Sequence, residues 1–187
     1  HLEDGYLYRY PLIQYKTINK KAAIVCIEEG VDEIHHFFQK PDWSIFIGDK
    51  KLELKVEKLF LNKFNMQVWN TYFDFKIIKW IALNQNNYKK FSQIESLSDR
   101  IKFLENILKA NILTMAKGIN WTVDKPIDIV ITEYKDPQTV VFKDQKLLGF
   151  SLKFKTNVFL PNYIGLGKGV SHGYGIVKQI KSEKQKK

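Results

Sequence analysis

Five of the chain's ten glycines fall within residues 165–175, and Lys168, Ser171, His172 and Tyr174 sit among them. Glycine admits positive φ and lets a bulky anion approach backbone N–H groups. Among the interleaved side chains, lysine offers a cation for phosphate, serine and histidine offer small donors, and tyrosine offers a ring for stacking. A purely mechanical turn needs one or two glycines, so two consecutive tight turns are the plainer reading of the five. The combination predicts a loop that holds a polyanion through Gly165, Gly167, Lys168, Gly169, Ser171, His172 and Tyr174, with Lys178 close behind.

Two familiar phosphate loops fail on context. A P-loop requires Ser or Thr after its lysine, and Gly169 occupies that place. A dinucleotide fingerprint must open a helix inside a βαβ unit, whereas residues 174–180 read as a short strand before the chain ends.

Proton transfer would fall to histidine, whose pKa lies near the operating pH. His35 and His36 stand on an amphipathic segment beside Phe37 and Phe38, which predicts one solvated and one packed imidazole. His172 belongs to the glycine loop, where it could touch a ligand or cap a turn. Cys26 is the single cysteine and lies in the apolar run 22–27, so it reads as a strand core residue rather than a disulfide or zinc ligand. Acidic residues are scattered, with no H-E-x-x-H and no aspartate triplet, so neither a metal site nor a cofactor is expected.

The elements that must position these groups alternate between strand and helix. Residues 6–17 read as a strand entry with Pro11 at an edge, followed by a turn at 19–21 and a buried strand at 22–27. A helix over 31–38 is stopped by Pro41. Strands at 43–47 and 51–60 flank Gly48, with Leu52, Leu54 and Val56 alternating against charged residues. A strand at 73–83 leads to helices at 87–94 and 98–117. Ile101, Leu104, Leu108, Ile112 and Met115 form one stripe of the second helix, with Ser98 as N-cap and Gly118 as stop. Strands at 121–123, 127–134, 139–142 and 147–159 complete the chain. The order predicts an α+β fold of two halves, residues 1–68 and 69–180, with a basic tail at 181–187.

At 187 residues the chain can bury a substantial core, and 44% hydrophobic and 14% aromatic content are globular values. Thirty basic against twenty acidic residues give +10, which points to an acidic partner, nucleic acid before membrane. Only Arg9 and Arg100 are arginine, favouring diffuse phosphate contact over bidentate reading of bases. No apolar run reaches membrane-spanning length and no signal peptide is visible, so a cytoplasmic location without membrane contact is expected.

Four landmarks in order carry a family resemblance: YRYPLIQYK at 8–16; Trp80 to Asn84 with Asn87 and Tyr88; Asn111 to Leu113 with Ala116 to Gly118; and Thr156 to Val158 through Leu160, Pro161 and Tyr163 into the glycine loop. Together they make the chain resemble the Cas6 group of CRISPR-associated endoribonucleases, in particular its Cas6b-like branch. The resemblance implies two ferredoxin-like (RAMP) halves with antiparallel sheets that cradle CRISPR repeat RNA. It also implies that the first half here lacks its initial strand and helix, since in that family they precede the segment matching residues 8–16.

The implied activity is metal-independent cleavage of repeat RNA in pre-crRNA processing. The 2′-OH attacks, a histidine acts as general acid or base, and the product ends in a 2′,3′-cyclic phosphate. His1 matches the second of the histidines that precede this segment in Cas6b-like proteins, and so is the candidate catalytic residue. The glycine-loop residues and Lys178 become RNA-binding candidates, and Tyr15 and Lys16 further RNA contacts. Effector-complex subunits and a homodimer are the protein partners left open. Two other readings stay open: a non-catalytic RNA-binding subunit of the same fold, and a basic α+β module for DNA or RNA.

Overall fold

The computed structural model describes residues 9–180. In chain order its elements are β1 (Ile13–Ile18), β2 (Lys21–Cys26), α1 (Gly30–Phe38), β3 (Ser44–Ile47), β4 (Lys50–Glu53), β5 (Val68–Trp80), α2 (Gln85–Ser92), α3 (Leu97–Gly118), β6 (Ile129–Glu133), β7 (Gln138–Phe142), β8 (Gln145–Val158), a 3-10 turn (Val170–His172) and β9 (Ile176–Gln179). The fold is α+β with antiparallel pairing throughout.

The organising unit is one antiparallel sheet in the order β6-β8-β5-β9, with β7 pairing the far end of β8. Because β5 and β6 both run antiparallel to β8, they are parallel to each other, and α2 and α3 make the crossover between them. β8 and β9 are likewise parallel across β5, and their crossover is residues 159–175, the segment that contains the glycine loop. This strand order is ferredoxin-like, with the loop where a second helix would stand.

Period-2 patterning explains the sheet. On β5, Phe75 and Ile77 are buried; on β8, Phe150, Leu152 and Phe154 are buried while Lys153 and Lys155 are exposed. The buried face meets the stripe Leu104, Leu108, Ile112 and Met115 of α3, and Ile101 at its start is only half-buried. The helix ends differ from the sequence expectation by a turn chemistry that spacing does not show. Ser96, not Ser98, caps α3 by accepting from Asp99 N. Gly118 stays inside the helix, beneath the Tyr10 side chain. Asn120 makes the stop at φ +55°, and its amide and that of Trp121 donate back to the Lys117 and Ala116 carbonyls in a Schellman pattern. Residues 121–123 form no strand.

The described residues before β5 form two separate two-stranded sheets and α1. Asn19 and Lys20 both take positive φ in the β1–β2 turn, which matches the right-handed twist of a hairpin. β2 is not a buried strand: Ile24 is exposed and Val25 and Cys26 are half-buried, so Cys26 is not in the core. The strand expected at 51–60 is confined to Lys50–Glu53, and Leu52, Leu54 and Val56 are exposed. Their alternation marks an apolar face, but nothing in the described residues covers it.

Candidate nucleic-acid interface

The loop at 165–175 needs its glycines for its own folding. Gly167 takes φ +91°, and a Cβ there would stand 2.7 Å from the Trp80 indole. Gly175 takes φ +64°, and its Cβ would run into the Leu166 carbonyl. The amides are engaged too. Lys168 N donates to Ile81 O (3.0 Å), Gly175 N to Lys79 O (3.1 Å), Leu166 N to Gly175 O (3.0 Å) and His172 N to Gly169 O (2.9 Å). These bonds stitch the loop to the end of β5 and to itself. At Gly167 and Gly175 the fold itself therefore requires glycine, and beside its remaining amides the loop offers the side chains of Lys168, Ser171, His172 and Tyr174.

Those side chains gather around one ring that sequence reasoning passed over, Phe142 at the end of β7. Lys168 Nζ lies 5.6 Å from its centroid and Lys143 Nζ 5.9 Å. The His172 and Tyr174 rings stand edge-on to it at 5.5 and 5.6 Å. Tyr174 Oη donates to the Val141 carbonyl, and Ser171 Oγ is 2.9 Å from His172 Nδ1. His172 is exposed; Lys168, Ser171 and Tyr174 are half-buried. Two ammonium groups, an imidazole and a hydroxyl thus share one edge of the molecule, held by an aromatic anchor. Only the adjacency of Phe142 and Lys143 was visible in sequence, and it carries no signal by itself. Lys178 is apart from this group, on β9, with Nζ 5.2 Å from the Tyr163 ring centroid.

Beneath the loop lies β1, and here residue type and orientation part company. Gln14 and Lys16 face inward and Tyr15 faces outward, 60% exposed. Gln14 Nε2 donates to Tyr10 Oη (3.0 Å) and its Oε1 accepts from Gly165 N (2.9 Å), while Tyr10 Oη donates to Gly165 O (2.8 Å). Lys16 is 4% exposed and its Nζ reaches only the Val170 carbonyl, at 3.3 Å. Burial lowers its pKa to about 8 and pushes the Tyr10 hydroxyl up. Lys16 is thus a strut under the 3-10 turn rather than a surface contact, and Tyr15 alone of the pair is open to a ligand.

His1 lies outside the described residues. His35 and His36 are both exposed on α1, so neither is the packed histidine expected there. Among the described residues no three of His, Cys, Asp and Glu converge as metal ligands would. No helix among them is long and apolar enough to cross a membrane.

Comparison with known proteins accounts for both halves. The family model of the Cas6b N-terminal domain matches residues 1–65, and that of the Cas6b C-terminal domain matches residues 67–180. A crystal structure of Cas6b superposes with a TM-score of 0.82 at 27% identity, covering 95% of this chain and 81% of that one. A crystal structure of a CRISPR RNA processing endoribonuclease, also Cas6b, gives 0.72 at 27% identity over 92% of this chain and 83% of that one. An uncharacterized protein of Methanocaldococcus jannaschii, MJ0978, is 38% identical over 56% of this chain and 69% of its own length.

Proposed function

The chain belongs to the Cas6b family, and on that premise we propose that it binds CRISPR repeat RNA and cuts it within the repeat, without a metal ion. The observation that carries the reading is the match of both family domains in order, together with a cationic edge where the glycine loop meets β7. RNA brings its own nucleophile. The 2′-OH attacks the adjacent phosphorus while a base takes its proton, and an acid protonates the departing 5′-oxygen. One product ends in a 2′,3′-cyclic phosphate and the other begins with a 5′-hydroxyl. The protein then has three tasks: hold the strand, move the proton, and stabilise charge on the phosphate.

His1 is the proton-transfer group in this reading. The support for this role is its match to the family's histidine before residues 8–16, and the first described residues lie beside the loop, where Tyr10 bonds Gly165. Lys168 and Lys178 oppose the phosphate charge, and Ser171, His172, Tyr174 and Tyr15 line the RNA path.

Labelled repeat RNA incubated with the protein in EDTA tests the proposal. Cleavage is expected, and His1→Ala should slow it by roughly 10²–10⁴-fold with affinity nearly unchanged. Retention of intact RNA by the unaltered protein would make this a binding subunit instead. Full-rate cutting by His1→Ala with loss in His172→Ala would move the proton-transfer role to the loop.

A further inference from the structure

The face of the main sheet turned away from α3 carries a row of lysines that folding alone does not explain. Register places Lys76 of β5 opposite both Lys178 of β9 and Lys153 of β8. Residues directly opposite in an antiparallel pair project to the same side with Cβ atoms roughly 4.5–5.5 Å apart, and like charges so placed are destabilising. One carboxylate, Glu133, answers the row; Lys153 Nζ is 2.6 Å from it, and Lys135 shares it at 3.5 Å. Among the described residues Lys76 and Lys178 have no acidic partner. The neighbouring row holds Lys155, 3.7 Å from Asp74. Lys76, Lys153 and Lys155 are exposed, so the face is open.

The row is continuous with the loop. Gly175 bonds Lys79 at the end of β5, and Lys178 and Lys76 each lie three residues further along those strands. That separation is about 10 Å at a strand rise near 3.3 Å per residue. The register positions on this face that are not charged are Ile78, Val130 and Ile176, none of them aromatic. A sheet that reads bases does so by stacking them on exposed rings. This one carries lysines along its paired positions, with the Tyr163 ring beside Lys178 and the exposed Tyr72 near the start of β5, and a lysine, as a point charge, suits a phosphate backbone better than base edges.

We propose that the open sheet face, along the row Lys178, Lys76 and Lys153, is a second binding track that takes the phosphates of a single RNA strand leaving the glycine loop. The inference rests on the RNA-binding reading above and extends it from Lys178, which that reading already uses, to Lys76 and Lys153, which it does not. The track is indifferent to sequence, and it lengthens the stretch of RNA held without adding to the chemistry.

The test is lysine acetylation of the whole chain, read by mass spectrometry, with and without poly(U). Lys76, Lys153, Lys168 and Lys178 should all be protected, while Lys102 on α3, across the sheet, keeps its rate. Lys76→Gln combined with Lys153→Gln should reduce the log–log salt slope of poly(U) binding by about 1.4, two contacts at roughly 0.7 each for a single strand. Protection of Lys168 with a freely acetylated row and an unchanged slope would overturn the track and leave the loop reading intact. Protection of neither overturns the RNA-binding reading itself. Equal protection of the row by poly-L-glutamate overturns the choice of phosphate and points to an acidic protein surface.

Discussion

Lys16 shows how much a single residue's environment can reverse its apparent role. In sequence it is a strand lysine beside a tyrosine; in the structure it is nearly sealed beneath the 3-10 turn, with one carbonyl for company. Its pKa falls to about 8, so the folded state releases the proton before the unfolded state does. Below pH 8 both states hold the proton and the burial penalty is fully present. Between about 8 and the ordinary lysine value near 10.4 the unfolded state binds more protons, and stability rises with pH, by at most about 3 kcal/mol. Denaturant titrations at pH 7.5 and 9.5 should therefore show the unaltered protein gaining stability relative to Lys16→Met. Parallel behaviour of the two would place the ammonium in water. The window stops there because Tyr10, whose hydroxyl burial holds protonated, works in the opposite sense at higher pH. Gly167 belongs at the same scale. Its φ of +91° and the Trp80 indole behind it exclude a side chain. Gly167→Ala should lower stability by about 1–3 kcal/mol, the range for a strained backbone position. An unchanged denaturation midpoint would mean the loop does not rest on Trp80.

Elements were legible where one face of a segment is covered by another segment. The α3 stripe is the clearest case: Leu104 is wholly buried, and Leu104→Ala should lose roughly 2–5 kcal/mol in denaturant titration. A loss below about 1 kcal/mol would take α3 off the sheet. The alternation of β8 was equally readable, because its lysines and its buried Leu152 and Phe154 differ in kind. The same rule misled at Leu52, Leu54 and Val56, where alternation exists and burial does not. Periodicity reports which side is apolar; whether anything lies against that side is a tertiary fact. β1 inverts the lesson, since polar Gln14 and Lys16 face inward to meet the glycine loop, a partner some 150 residues away in sequence. The loop was found from its glycines, but the physical cause was different. Gly167 admits the Trp80 indole, a neighbour that no pattern local to residues 165–175 encodes, and Gly175 admits the carbonyl of Leu166 where the loop folds back on itself.

At the scale of the molecule, the sequence landmarks turn out to touch one another. Tyr10 lies over Gly118 and bonds Gly165; Trp80 Nε1 donates to Asn111 Oδ1 at 2.9 Å and backs Gly167. Segments far apart in the chain thus converge on the loop, which explains why they read together as one family and not as separate motifs. Part of the basic excess gathers at the Phe142 edge and across the sheet face, on lysines rather than arginines. In the proposed function such a surface grips phosphates, while one histidine and the RNA supply the reacting groups. The direct measurement is cleavage in EDTA of two repeat RNAs that differ by a single 2′-deoxy nucleotide just upstream of the scissile phosphate. The unmodified strand should yield a 2′,3′-cyclic phosphate and a 5′-hydroxyl, and the deoxy strand should bind equally well and stay whole. Efficient cutting of the deoxy strand, or loss of all cutting in EDTA, would contradict metal-free attack by the 2′-OH.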